Sequence, residues 1–180
     1  MREKYKKNNL KLNEEKRGVK MKIVYESNTG HTMQYAKMLS EKLNIPYFTI
    51  NEAKTKLQKQ DEIIYLGWVC ATKICGLRKV KNRYRVKCYG AVGLFPKDDN
   101  YIKCLKESNK LDKELFYMQG GLDYTKLKGI KRKMLQLVEN AIEKDNKPEN
   151  QEMIKIFKNG ANFVSEKNLD PIIQFLNAKK

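Results

Sequence analysis

Residues able to ligate a metal are few in this 180-residue chain: there is one histidine, His31, and four cysteines, at 70, 75, 88 and 104, none in a CxxC pair. A histidine-based metal cluster is excluded, a zinc site on paired cysteines is not written, and four cysteines are too few to staple a disulfide scaffold. The cysteines are expected to be reduced core or site residues, as free cysteine commonly is. No apolar run approaches the ~20 residues of a membrane-spanning helix. The first twenty residues are charged where a secretory leader would be apolar, so the expected compartment is the cytoplasm. No internal repeat is visible. The length suits one domain with a substantial core rather than two.

Acidic side chains are also scarce, 21 against 38 Lys and Arg, for a formal charge of +17. Such a balance invites a nucleic-acid or membrane partner. Lysines outnumber arginines 32 to 6 and asparagine is abundant, however, a pattern that base composition produces without any ligand. The excess is spread out. One denser stretch, Arg78, Lys79, Lys81, Arg83, Arg85 and Lys87, contains no acid, and a solvated face explains it better than a dedicated anion site. Aromatic and basic residues do not interleave as in a base-stacking platform, so no specific nucleic acid is expected.

Residues 1–20 show no apolar periodicity and are expected to be a basic tail, either flexible or preceding a true start at Met21. From Met21 short apolar runs alternate with helical patterns, the signature of a parallel sheet with crossover helices. The expected strands are 22–25, 47–50, 62–67, 87–94 and 115–119. The run Glu62 to Gly67 is apolar throughout, as in a central strand buried on both faces. A first helix starts near His31 with Tyr35, Ala36 and Leu39 on one face, and 52–60 is expected to be a connection. Beyond the fifth strand, Ile130, Met134, Leu137, Val138 and Ala141 form one helical stripe. After a polar break at 145–151, Met153, Phe157, Ala161 and Val164 form another. A last helix is expected with Asp170 as N-cap and Pro171 in its first turn.

The most informative segment is Ser27-Asn28-Thr29-Gly30-His31-Thr32, directly between a strand and a helix. A small hydroxyl-rich turn there points backbone N–H groups and hydroxyls at one spot, at the positive end of a helix. It lacks the GxGxxG of a dinucleotide fold and the Gly-Lys-Ser/Thr ending of a triphosphatase loop, so a single terminal phosphate suits it best. Taken alone, the turn fits a hydroxyl-rich cap with no ligand equally well.

These residues resemble the flavodoxins, whose phosphate loop reads Ser/Thr-x-Thr-Gly-x-Thr after the first strand, matched by Ser27, Thr29, Gly30 and Thr32. The resemblance continues through 61–68 and 92–96. In 118–124 (MQGGLDY) the chain resembles a flavodoxin-domain subgroup that includes menaquinone-dependent protoporphyrinogen dehydrogenases. The resemblance implies an α/β three-layer sandwich over residues 21–180, with a five-stranded parallel sheet in order 2-1-3-4-5. It implies flavin mononucleotide (FMN) at the carboxyl ends of strands one, three and four. The phosphate would sit on Ser27, Asn28, Thr29, Gly30, His31 and Thr32. The ring would lie between Gly67, Trp68, Val69, Cys70, Ala71, Thr72 and Lys73 on one side and Gly93, Leu94 and Phe95 on the other.

Trp68 is expected to stack on the ring, with capping of the core as its other reading. Where the family places a tyrosine after strand four this chain has Phe95-Pro96 and then Tyr101, which leaves the second ring face open to a substrate. Cys70 and Cys75 are expected to be inert thiols, and His31 a helix-start residue whose charge assists the anion at low pH. The implied function is electron transfer, as a carrier or as a flavoenzyme on a quinone or porphyrinogen. The alternative is a flavin-free binding module using its basic surface on an anionic partner. Expected partners are a redox protein or such a substrate, with peripheral contact to an anionic membrane.

Overall fold

The computed structural model describes residues 21–127, 129–145 and 151–178. The expected tail at 1–20 and most of the polar break at 145–151 lie outside them. The first strand, β1 (Lys22–Glu26), has its three central residues buried, and β3 (Glu62–Cys70) is buried from Ile63 to Gly67. Between them run α1 (His31–Leu43), β2 (Tyr47–Thr49) and α2 (Ile50–Lys56). Then follow β4 (Lys73–Ile74), α3 (Leu77–Lys81), β5 (Arg85–Gly93), α4 (Asp99–Ser108) and β6 (Leu115–Gln119). The sheet order is β2-β1-β3-β5-β6, parallel throughout, with β4 turned back antiparallel on the end of β3. With the two-residue β4 set aside, this is the expected order 2-1-3-4-5.

Pleating sends alternate side chains of β3 to opposite faces. Ile63 and Tyr65 join a core with Ile50, Ala53, Leu77, Val80 and Leu105 from α2, α3 and α4. Ile64 and Leu66 join another with Tyr35, Ala36 and Leu39 of α1 and with Leu169, Ile172 and Leu176 near the C-terminus. A strand covered on both faces has no solvent side to present, hence the unbroken apolar run in the sequence.

The chain then departs from the plain alternation. After β6 it forms β7 (Gly121–Leu122), a 3-10 turn over Tyr124–Lys126, α5 (Gly129–Asp145) and α6 (Gln151–Asn159). It returns through β8 (Ala161–Asn162), antiparallel to β7, and a 3-10 turn Glu166–Leu169 to α7 (Asp170–Ala178). Leu122, Leu127 and Phe157 centre a third, smaller core beside the sheet.

Four expectations are corrected here. The 52–60 connection is largely α2, and Ile50 opens it instead of ending β2: Thr49 Oγ1 accepts from Glu52 N while Glu52 accepts from Thr49 N, a reciprocal cap that drives the helix start. The stripe through Ala161 breaks because Gly160, at φ 73°, ends α6 and Ala161 pairs in β8. Asp170, at φ −54° and ψ −45°, lies within the helix rather than capping it, since the preceding 3-10 turn leads straight into α7. The side chains of Ile130, Met134, Leu137 and Val138 are exposed instead of buried in a core, and Leu135 and Ile142 form the packed side of α5.

Candidate functional site

The carboxyl ends of β1, β3 and β5 open on one cavity of about 440 Å³, in the range of small-molecule sites. Twelve of the sixteen expected site residues line it: Ser27, Asn28, Thr29, His31, Thr32, Trp68, Val69, Cys70, Ala71, Gly93, Leu94 and Phe95. Gly30, Gly67, Thr72 and Lys73 do not.

Each of those four has a structural reason for its position. Gly30, at φ 101° and ψ −18°, turns the chain into α1, a conformation only glycine adopts without strain. Its N–H donates to Ser27 Oγ at 3.2 Å and its carbonyl accepts from Gln34 at 3.0 Å. A Cβ on Gly67 would meet Ile74 Cγ2 at 2.6 Å and the Cys75 carbonyl at 2.9 Å, because β4 folds over it. Lys73 Nζ donates to the Ser108 carbonyl at 2.7 Å, and the Thr72 carbonyl accepts from Asn109 Nδ2 at 2.7 Å. Both are drawn towards the end of α4. The turn itself passes through Ala71 at φ 53°, whose carbonyl accepts from Tyr101 Oη at 3.2 Å.

The end of the cavity at the Ser27 to Thr32 turn is polar. Tyrosines apart, the buried polar side chains among the described residues are His31 and Thr32, both at the start of α1. Thr29 Oγ1 and His31 Nδ1 are 3.0 Å apart. The first amides of a helix have no intrahelical acceptor, so they add donors directed at the same spot. Burial holds the His31 imidazole below its ordinary pKa, Lys126 pushes it further down, and Asp123 opposes them. The pH at which the ring charges is thereby moved down from its ordinary place. Just above, Lys126 Nζ pairs with Asp123 at 2.9 Å, and Asp123, also accepting from Thr125, is held down to about 2.

The remainder of the cavity is apolar. Tyr101 lies edge-on to Phe95 (centroids 6.1 Å apart) and to Tyr117 (5.7 Å), and it lines the cavity. The loop after β5 is anchored from β6: Gly120 N donates to Gly93 O at 2.7 Å, Gln119 Nε2 to Leu94 O at 3.2 Å, and Tyr117 Oη to Phe95 O at 2.7 Å. Tyr89, by contrast, is core, its hydroxyl 3.0 Å from Asp112.

A further part of the lining comes from residues not expected from the sequence: Gly121, Leu122, Leu127, Met134, Leu135, Val138 and Phe157. The 118–124 segment and the Met134/Val138 spacing were the only signals of it. Met134 and Val138 remain about half exposed, as does Phe95. The basic stretch from Arg78 to Lys87 runs along α3 into β5, at the far end of the sheet. There Lys81, Arg85 and Lys87 border a separate cleft of about 510 Å³. Among the described residues no group of His, Cys, Asp and Glu can hold a metal, and no helix is long and apolar enough to cross a membrane.

A parallel sheet in this order, with helices on both faces and a ligand-sized cavity at its carboxyl edge, is a doubly wound α/β fold. Residues 22–149, well over half of the chain, match the family model described as a flavodoxin domain. The chain belongs to the flavodoxin domain family. No curated protein and no solved structure is matched.

Proposed function

We propose that this protein binds FMN in the cavity and transfers electrons through it. The observation that carries the reading is the junction of two chemistries in one cavity: a donor-rich turn at Ser27 to Thr32 continuous with an apolar lining that includes Trp68, Phe95 and Tyr101. The donor set fits a phosphate ester, and the apolar lining fits an aromatic ring. Bound there, the flavin would supply the redox chemistry. The residues of the Ser27 to Thr32 turn would hold the ester, and the apolar lining would keep water from the ring.

Within that reading we favour a flavoenzyme acting on a quinone or porphyrinogen over a simple carrier. The half-exposed Met134, Val138 and Phe95 present an apolar surface at the cavity mouth, suited to a second apolar molecule. Among the described residues that line the cavity there is no Asp, Glu, Lys or Arg. We also propose peripheral contact with anionic lipid: the exposed Ile130, Met134, Leu137 and Val138 give α5 an apolar face, and the net charge of +17 supplies the electrostatic attraction.

The test is reconstitution. FMN added to purified protein is expected to give a yellow complex and to quench the emission of Trp68, the single tryptophan. Thr29→Ala should weaken that complex. Steady-state oxidation of a porphyrinogen with a menaquinone analogue separates enzyme from carrier. A colourless protein that takes up no FMN yet binds polyanions with a steep salt dependence would move the chain to the flavin-free binding module.

A further inference from the structure

We propose that Lys126 reads the charge of the phosphate ester and so makes the cavity prefer FMN to riboflavin. The inference rests on the flavin reading above and assigns to it a residue outside the loop that the sequence singles out. Residues Ser27 to Thr32 offer hydroxyls and amides but no permanent charge. Among the described residues, a permanent cation beside Gly30 is Lys126, on the 3-10 turn that follows β7 and just outside the set of residues lining the cavity. Lys126 Nζ lies 3.9 Å from the point where a Cβ on Gly30 would stand, in otherwise open space over the turn.

Its position is built. Asp123 accepts from Thr125 N at 3.1 Å and from Thr125 Oγ1 at 2.6 Å, which fixes the carboxylate, and the carboxylate fixes the ammonium at 2.9 Å. An ammonium carries three N–H donors, so the bond to Asp123 leaves capacity for a phosphate oxygen approaching from Gly30. The pair also keeps the lysine from wandering into solvent, where an unanchored side chain would lose rotamer freedom on binding. A charge-assisted bond to a phosphate is about twice as strong as a neutral one. Riboflavin, with a hydroxyl in place of the ester, gains nothing comparable.

The experiment measures FMN and riboflavin dissociation constants by flavin fluorescence, at low and high salt, for the wild type, Lys126→Gln and Lys126→Arg. Lys126→Gln is expected to weaken FMN about tenfold at low salt, to leave riboflavin unchanged and to flatten the salt dependence. Lys126→Arg should restore most of the loss. Since Lys126 is largely exposed, an unchanged urea midpoint will show that the variants are folded. FMN bound equally well by wild type and Lys126→Gln overturns the role of Lys126 and leaves the flavin reading standing. A wild type that binds neither flavin overturns both.

Discussion

Tyr35 ties three distant segments together, and removing its hydroxyl isolates what that junction contributes. The ring is fully buried in α1. Its hydroxyl donates to the Gln119 carbonyl at the end of β6 at 2.5 Å and accepts from Asn168 Nδ2 at 2.7 Å and Ser165 N at 3.3 Å. Tyr35→Phe keeps the ring volume, so no cavity contribution enters. Asn168 Nδ2 retains the Phe163 carbonyl at 3.2 Å, which limits its loss. The Gln119 carbonyl and Ser165 N–H lose a partner in a part-buried place. Two neutral bonds at about 1 kcal/mol each, plus about 1 kcal/mol for a group left poorly solvated, put the cost at about 2–3 kcal/mol. At this chain length that is a fall of about 5–10 °C in Tm. Urea unfolding followed by circular dichroism should show a lower midpoint with an unchanged m-value. A loss below about 0.5 kcal/mol, within the range of an ordinary surface change, would refute the junction.

Gly76→Ala places a methyl against Tyr65 Oη and within 2.5 Å of Ile50 Cδ1 at φ 82°. It should cost about 2–4 kcal/mol through overpacking and strain. Gly30→Ala, at φ 101° but in open space, should cost less, and equal urea midpoints for the two variants would contradict the packing argument. For His31, the folded pKa lies below the ordinary 6.5, so the unfolded chain binds more protons as pH falls. Its contribution to stability is therefore complete above about 6.5 and is lost as pH drops towards the folded value. The difference in flavin-free stability between the wild type and His31→Gln should shrink or reverse from pH 7.5 to 5.5, and a pH-independent difference would reject the assignment. On α5, Leu137→Glu and Ile130→Glu alter side chains that are 68% and 77% exposed. They should leave Tm within a degree or two but reduce cosedimentation with phosphatidylglycerol vesicles severalfold. Unchanged pelleting of the variants would remove α5 from the lipid contact.

Much of the fold is local physics, and so was visible along the chain. The unbroken apolar run at Ile63 to Leu66 announces a strand with helices on both sides. The small hydroxyl-rich turn before His31 announces a donor cluster, because strand end, turn and helix start are contiguous. Even the misread start of α2 was signalled by Thr49 and Glu52 three residues apart.

Tertiary structure alone decided the further part of the cavity lining and the cation above the turn. Met134, Val138 and Phe157 fall on stripes at helical spacing, and periodicity identifies a face without saying what meets it. That is settled by the antiparallel pairing of Gly121–Leu122 with Ala161–Asn162, a contact across some forty residues that carries α5 and α6 to the carboxyl edge of the sheet. The same pairing places Lys126 over Gly30, nearly a hundred residues earlier in the chain. Lys73 went the other way: adjacent in sequence to the cavity residues, it was drawn to Ser108 by the end of α4. The donor-rich turn is thus a property of six consecutive residues. What stands around it depends on long-range closure, whose free energy no short stretch of sequence contains.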